Sequence, residues 1–181
     1  MAPSAQTVSG DFELTMDELR VVARYVVQHA EDVLPVFEEA VPIDRRPRDA
    51  IDAAWTFIDG ASRTKLQRVA SLEAHRAARA APSEVARLAA RSAGDAASAA
   101  YLHPIAKATQ VGHILRAPAS AAYIGELLAA GDTEPLLERS RQRATPVLIE
   151  VLHRYPPTAA GRNRVSQLMN LLDQSLREVK S

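Results

Sequence analysis

The chain contains no cysteine. That excludes a disulfide framework, a thiolate nucleophile and every cysteine-based zinc or iron–sulfur site. Aromatic residues make up only 4% of the 181 residues, with a single tryptophan, so the core has to be aliphatic and alanine-based. Glycine is sparse as well. Seven scattered glycines cannot build a dinucleotide cradle, and the chain has neither a G-x-x-x-x-G-K-[ST] phosphate loop nor a G-x-S-x-G elbow. An ATPase and a Rossmann dehydrogenase are thereby excluded. No apolar run approaches the ~20 residues of a membrane span. Met1–Gly10 has neither the basic start nor the apolar core of a secretory signal. The expectation is a cytoplasmic protein with no membrane partner, whose residues 1–12 form a flexible tail ahead of one domain over 13–181.

A surplus of charge is missing too: the formal net charge is zero. A protein that grips a nucleic-acid backbone is expected to be basic, so nucleic acid is not the partner. The charge is nevertheless uneven. Asp11 to Asp59 is rich in acids, whereas Arg63, Lys65, Arg68, Arg76, Arg79, Arg87 and Arg91 face only Glu73 and Glu84 over the next stretch. Such polarity suits either complementary solvated faces or a partner-binding patch.

What the chain does have is alanine. Between Ala80 and Leu115, alanines at 86, 89, 90, 93, 96, 97, 99 and 100 follow Pro82-Ser83. Alanine is the best helix former, and its short side chain lets neighbouring helices come close. This stretch reads as a central helix gripped on several sides. Elsewhere the signals are also helical. Thr15-Met16-Asp17-Glu18 is a capping box, and Leu19, Val22, Ala23, Val26, Val27 and Ala30 repeat at helical spacing behind it. Asp32 and Pro35 are expected to break that helix. Pro47 opens the next, with Ile51, Ala54, Trp55 and Ile58 on its apolar face and Gly60 at its end. Trp55 is the expected buried anchor. A third helix from Ser62 is expected to bury Leu66, Val69, Ala70, Ala74 and Ala77. Pro104 and Pro118 mark kinks or restarts, and Pro146 a bend. The fold class is therefore all-α: a single-domain bundle of antiparallel helical hairpins with seven or eight helices, near 15–31, 47–58, 62–80, 83–102, 105–129, 133–154 and 163–179.

Candidate chemistry is thin. His103, Lys107 and Gln110 are spaced i, i+4, i+7, which on an unbroken helix places them on one face, with His113 just beyond. Small residues beside such a cluster can wall a pocket for a small polar or anionic ligand; the same residues can also satisfy the backbone around Pro104. His75 and Arg76 on the preceding helix could join them. His75 could meet Asp95, either as a general base or as a structural hydrogen-bond partner. Arg46 and Arg48 flank Pro47, where a helix start could hold an anion, or they could pair with the acids nearby. The five histidines show no H-E-x-x-H spacing and no carboxylate cluster, so no metal and no cofactor are expected. No residue is assigned a catalytic role.

Two blocks resemble a known family. One is Leu34-Pro35-Val36-Phe37-Glu38 leading to Arg46-Pro47-Arg48-Asp49-Ala50-Ile51-Asp52-Ala53-Ala54-Trp55. The other is Ala74-His75-Arg76-Ala77-Ala78-Arg79 followed by Ala89-Ala90-Arg91-Ser92-Ala93-Gly94. In order and spacing they are similar to the RPR-x-A-[IL]-x-A-A, A-H-x-A-A-R and A-A-R-x-A-G segments of a bacterial immunity-protein group, the immunity-protein-five-like proteins of polymorphic toxin systems. The likeness runs from about Val33 to Leu128. Where that family often has a histidine after its A-G, this chain has Asp95. Some similar chains are labelled as an exonuclease subunit, but this sequence lacks both the ATPase loop and a set of nuclease carboxylates. The resemblance implies a cytosolic helical protein that binds and blocks a protein toxin, and it carries over no active-site residues. Two readings stand side by side: a non-catalytic toxin-binding protein, and a small-molecule-binding protein or enzyme with a pocket around His103 and Lys107.

Overall fold

Thr15 starts the first helix as a capping box should. The Glu18 N–H donates to Thr15 Oγ1 at 3.0 Å, and the Thr15 N–H donates to Glu18 Oε2 at 2.9 Å. The computed structural model, which describes residues 6–129 and 131–179, builds an all-α bundle from eight α-helices among those residues. They are α1 (Met16–Ala40), α2 (Arg46–Ile58), α3 (Lys65–Arg79), α4 (Glu84–Ser98), α5 (Gly112–Ala129), α6 (Glu134–Arg143), α7 (Pro146–His153) and α8 (Arg164–Arg177). At the centre lies α4, packed against α1, α2, α3 and α5. Its alanines at 86, 89, 90, 93, 96 and 97 are all buried. A helix apolar on nearly every side is a core helix.

Several boundaries differ from the sequence expectation. The first helix runs unbroken through Asp32 and Pro35. Pro35 is exposed, while Val33, Leu34 and Phe37 around it are buried. Their packing outweighs one lost backbone bond. Likewise, α5 continues through the buried Pro118. The central helix does not bend at Pro104. It tightens into a 3-10 turn at Ala99–Tyr101, and the chain then crosses to a second such turn, Ala108–Val111, by a non-helical link. The expected single helix over 133–154 is two helices, because Thr145 accepts the Leu148 N–H at 3.2 Å and Pro146 opens α7 behind it. Within the stretch expected as a tail, residues 6–12 are described. Thr7–Ser9 pairs antiparallel with Glu13–Thr15, and this hairpin is tied down by the Asp11 N–H donating to Pro104 O at 2.8 Å. Residues 1–5 lie outside the described residues.

Burial is redistributed on two helices. Trp55 is only partly buried; its Nε1 donates to Glu31 Oε1 at 2.6 Å and Arg24 lies over its ring. Phe57, fully buried, anchors α2 instead, beside Ile51, Ala54 and Ile58. On α3 the expected inner residues Leu66 and Val69 face outward, 50% and 55% exposed, with Leu72 at 59%. Gln67 and Ser71 are buried in their place, and the Gln67 amide donates to Ala53 O at 3.1 Å. The inner stripe is Gln67, Ala70, Ser71, Ala74, Ala77 and Ala78, all narrow enough to lie against α2 and α4.

One buried polar group sets an acid limit. His29 is 2% exposed; its Nδ1 hydrogen-bonds to the Tyr25 carbonyl at 2.7 Å and its Nε2 has no partner. Since a carbonyl only accepts, Nδ1 carries a proton, and burial with no partner at Nε2 favours the neutral ring. Burial, opposed by the Tyr25 bond, depresses its pKa to about 4. Between that value and the ordinary ~6.5 the unfolded chain binds the extra proton, so stability falls as pH drops across this window, by about 3 kcal/mol for this group. Urea titrations between pH 7 and pH 4 are expected to show this loss, and His29→Leu to flatten it.

Candidate functional site

Small side chains on α3 and α4 bring His75 against Gly94. A Cβ on Gly94 would sit 2.8 Å from His75 Nε2, closer than such contacts occur. The next residue, Asp95, is 1% exposed and is a buried charge. Arg116 of α5 neutralises it with a two-pronged bond, Nε to Oδ2 at 2.8 Å and Nη2 to Oδ1 at 2.5 Å. This hydrogen bond, with the attraction of Asp95, holds the Arg116 pKa above its ordinary value against the effect of burial. A paired and hydrogen-bonded charge is the form in which a buried carboxylate persists.

His75 Nε2 lies 3.7 Å from Asp95 Oδ1, beyond hydrogen-bond reach. Burial pushes the His75 pKa below 6.5, against the pull of Asp95. Both carboxylate oxygens of Asp95 already accept from Arg116. The two residues therefore do not form the donor–acceptor contact of a general-base pair.

Around this buried pair lie two clefts that share Arg87 and Arg91, one turn apart on α4. The smaller, about 240 Å³, is lined by His75, Ala78 and Arg79 with those two arginines. The larger, about 330 Å³, is closed by Arg116, Tyr123, the start of α8 and Met169. Arg87 pairs with Glu84 (2.6 Å) and Arg164 with Glu126 (2.8 Å). Arg91 has no ion pair or side-chain hydrogen bond among the described residues, and burial lowers its pKa.

The residues singled out in the sequence are scattered. His75 lines the smaller cleft. Arg76 is exposed and pairs with Glu73 on its own helix. His103 and Lys107 do not share a helical face, because the chain between them is not helical, and both are exposed. Their side chains make no hydrogen bond among the described residues; the His103 carbonyl accepts from the Tyr155 hydroxyl and from the Ile105 N–H, both at 2.9 Å, and the Lys107 carbonyl accepts from the Gln110 N–H at 3.0 Å. The enclosed space expected at these two side chains is not formed by a common stripe. Gln110 and His113 stand partly buried, with Gln110 Oε1 and His113 Nδ1 lacking partners; burial lowers the His113 pKa. Arg46 pairs with Asp44 (2.6 Å) and Arg48 with Glu38 (2.8 Å), so this helix start is internally neutralised. No group of three metal-ligating side chains occurs among the described residues. Arg116 was not singled out by the sequence reading, and Arg87 and Arg91 entered it only as part of the basic stretch. The signal was there in part: His75 and Arg79 on α3, and Arg87 and Arg91 on α4, are i, i+4 pairs on otherwise alanine-rich helices.

Removing Asp95 would strand the Arg116 guanidinium among α3, α4 and α5. Asp95→Ala is expected to cost about 3–5 kcal/mol in urea unfolding, the usual loss on breaking a buried pair from one side.

Comparison with known proteins gives one match. The sequence model described as Imm-5 like putative immunity protein matches residues 13–123. That span covers α1 to α4 and most of α5, and contains His75, Gly94, Asp95 and Arg116. No curated protein and no solved structure matches the chain. With more than half of its length matched, the chain belongs to the Imm-5 like putative immunity protein family.

Proposed function

We propose that this protein binds and neutralises a protein toxin, meeting it in the cytoplasm, and that the outer face of α3 is the contact surface. The observation that supports this reading is the reversed burial of that helix. Leu66, Val69 and Leu72, spaced i, i+3, i+6, are each at least half exposed. Around them stand Lys65, Arg68 and Arg76. Arg63 and Arg68 also stack on the Tyr101 ring, their guanidinium carbons 4.8 and 4.1 Å from its centroid. Apolar, aromatic and arginine side chains together are the composition of a protein interface core, and arginine and tyrosine are frequent anchors there. The basic rim favours an acidic surface on the toxin. The family membership supports a protein partner. No described helix is long and apolar enough to cross a membrane.

Leu72→Asp tests the surface. Leu72 is exposed, so the variant is expected to melt within ~0.5 kcal/mol of the parent. Binding to a candidate toxin taken from a neighbouring gene, measured by calorimetry, is expected to weaken at least tenfold, about 1.4 kcal/mol. Undiminished binding by a folded Leu72→Asp protein would remove α3 from the interface.

A further inference from the structure

Beyond the toxin-binding face, we propose that the two clefts meeting at Arg91 form a binding site for a phosphate monoester. The argument begins with charge pairing. Three of the arginines lining the larger cleft have their own carboxylate: Arg87 has Glu84, Arg116 has Asp95 and Arg164 has Glu126. Arg91 has none among the described residues, and neither has Arg79 in the smaller cleft. Two guanidiniums without counter-charges call for two negative charges. Arg91 is itself partly buried, and desolvation pulls its pKa down, so an anion beside it would relieve a real penalty.

Shape adds to charge. The larger cleft continues from the arginines onto Tyr123, Val165 and Met169, while Asn163 and Ser166 at the start of α8 supply polar groups. A cleft of about 330 Å³ with one cationic end and one apolar wall has the build of a small-molecule site. Planar guanidiniums match phosphate oxygens in pairs, and a phosphate monoester carries nearly two charges at neutral pH. A monocarboxylate would answer only one of the two unpaired arginines. The phosphate would sit in the smaller cleft, which Arg79, Arg87 and Arg91 line, and the organic part would lie in the larger cleft that Arg87 and Arg91 also line, on the side of Tyr123.

The test uses the intact chain with no toxin present, so its outcome is independent of the proposed interface on α3. Titration calorimetry at fixed ionic strength is run with inorganic phosphate, phenyl phosphate and succinate. Both phosphates are expected to bind, phenyl phosphate more tightly, and succinate at least tenfold more weakly than phenyl phosphate. Arg91→Gln is expected to lose at least tenfold in phenyl phosphate affinity while melting at or above the parent temperature without ligand, because it removes an unpaired desolvated charge. Arg79→Gln, at an exposed position, is expected to weaken the same titration. Absence of heat with both phosphates, or affinity unchanged in Arg91→Gln and Arg79→Gln, would overturn the proposal. Equal binding of succinate would overturn it in favour of a carboxylate site.

Discussion

The fold is arranged around a helix whose buried face carries mostly small side chains. The buried face of α4 is alanine, serine and glycine over most of its length, so α1, α2, α3 and α5 can all reach it. Close packing of this kind makes contact energy from backbone proximity and many small dispersion terms rather than from large apolar groups. It also leaves no slack. At Gly94 the His75 ring already occupies the place of a β-carbon. The aromatic poverty of the sequence and the crowding of the core are two sides of one design.

The same crowding dictates where charge can go. Asp95, in the last turn of α4, is shut off from water, and Arg116 comes to it from α5. The remaining arginines of α4 stand at the edge of the helix, where their long stems run along apolar surface and their heads gather in the clefts. Farther out, Arg154 bridges to Glu18 (2.7 Å), Arg164 to Glu126 and Arg143 to Asp32 (2.7 Å), linking the later helices to α1 and α5. Such partly exposed pairs contribute little each. The attachment of α7 and α8 rests mainly on the buried Leu148, Val151, Leu152, Leu168, Leu172 and Leu176.

Helix starts were legible because capping is local. Thr15, Pro47 and Ser83 each begin a helix where the sequence put one, within a residue or two. Breaks were less legible. Pro35 and Pro118 were read as interruptions, yet both sit inside continuous helices held in place by tertiary contacts. Pro104, by contrast, lies outside any helix, and the His103–Lys107–Gln110 stripe dissolved with the helix it presupposed. Trp55 and Phe57 share α2, and periodicity alone favoured the larger ring for the core. The available space admitted Phe57, while Trp55 found a hydrogen bond with Glu31 at the margin.

By itself the sequence determined the all-α class, the alanine-rich helix at the centre, most helix starts and the family, since each follows from residue type and short-range spacing. Only the tertiary structure decided which side of α3 is buried, because Gln67 gains a partner at Ala53 that no local pattern reveals. It alone brought Arg116 to Asp95, 21 residues away. And it alone gathered His75 and Arg79 of α3 with Arg87 and Arg91 of α4 around one cleft. The physical reason is the same throughout: the pairing of a buried polar group depends on what the neighbouring helix offers, and helix packing, not helix propensity, fixes that neighbour.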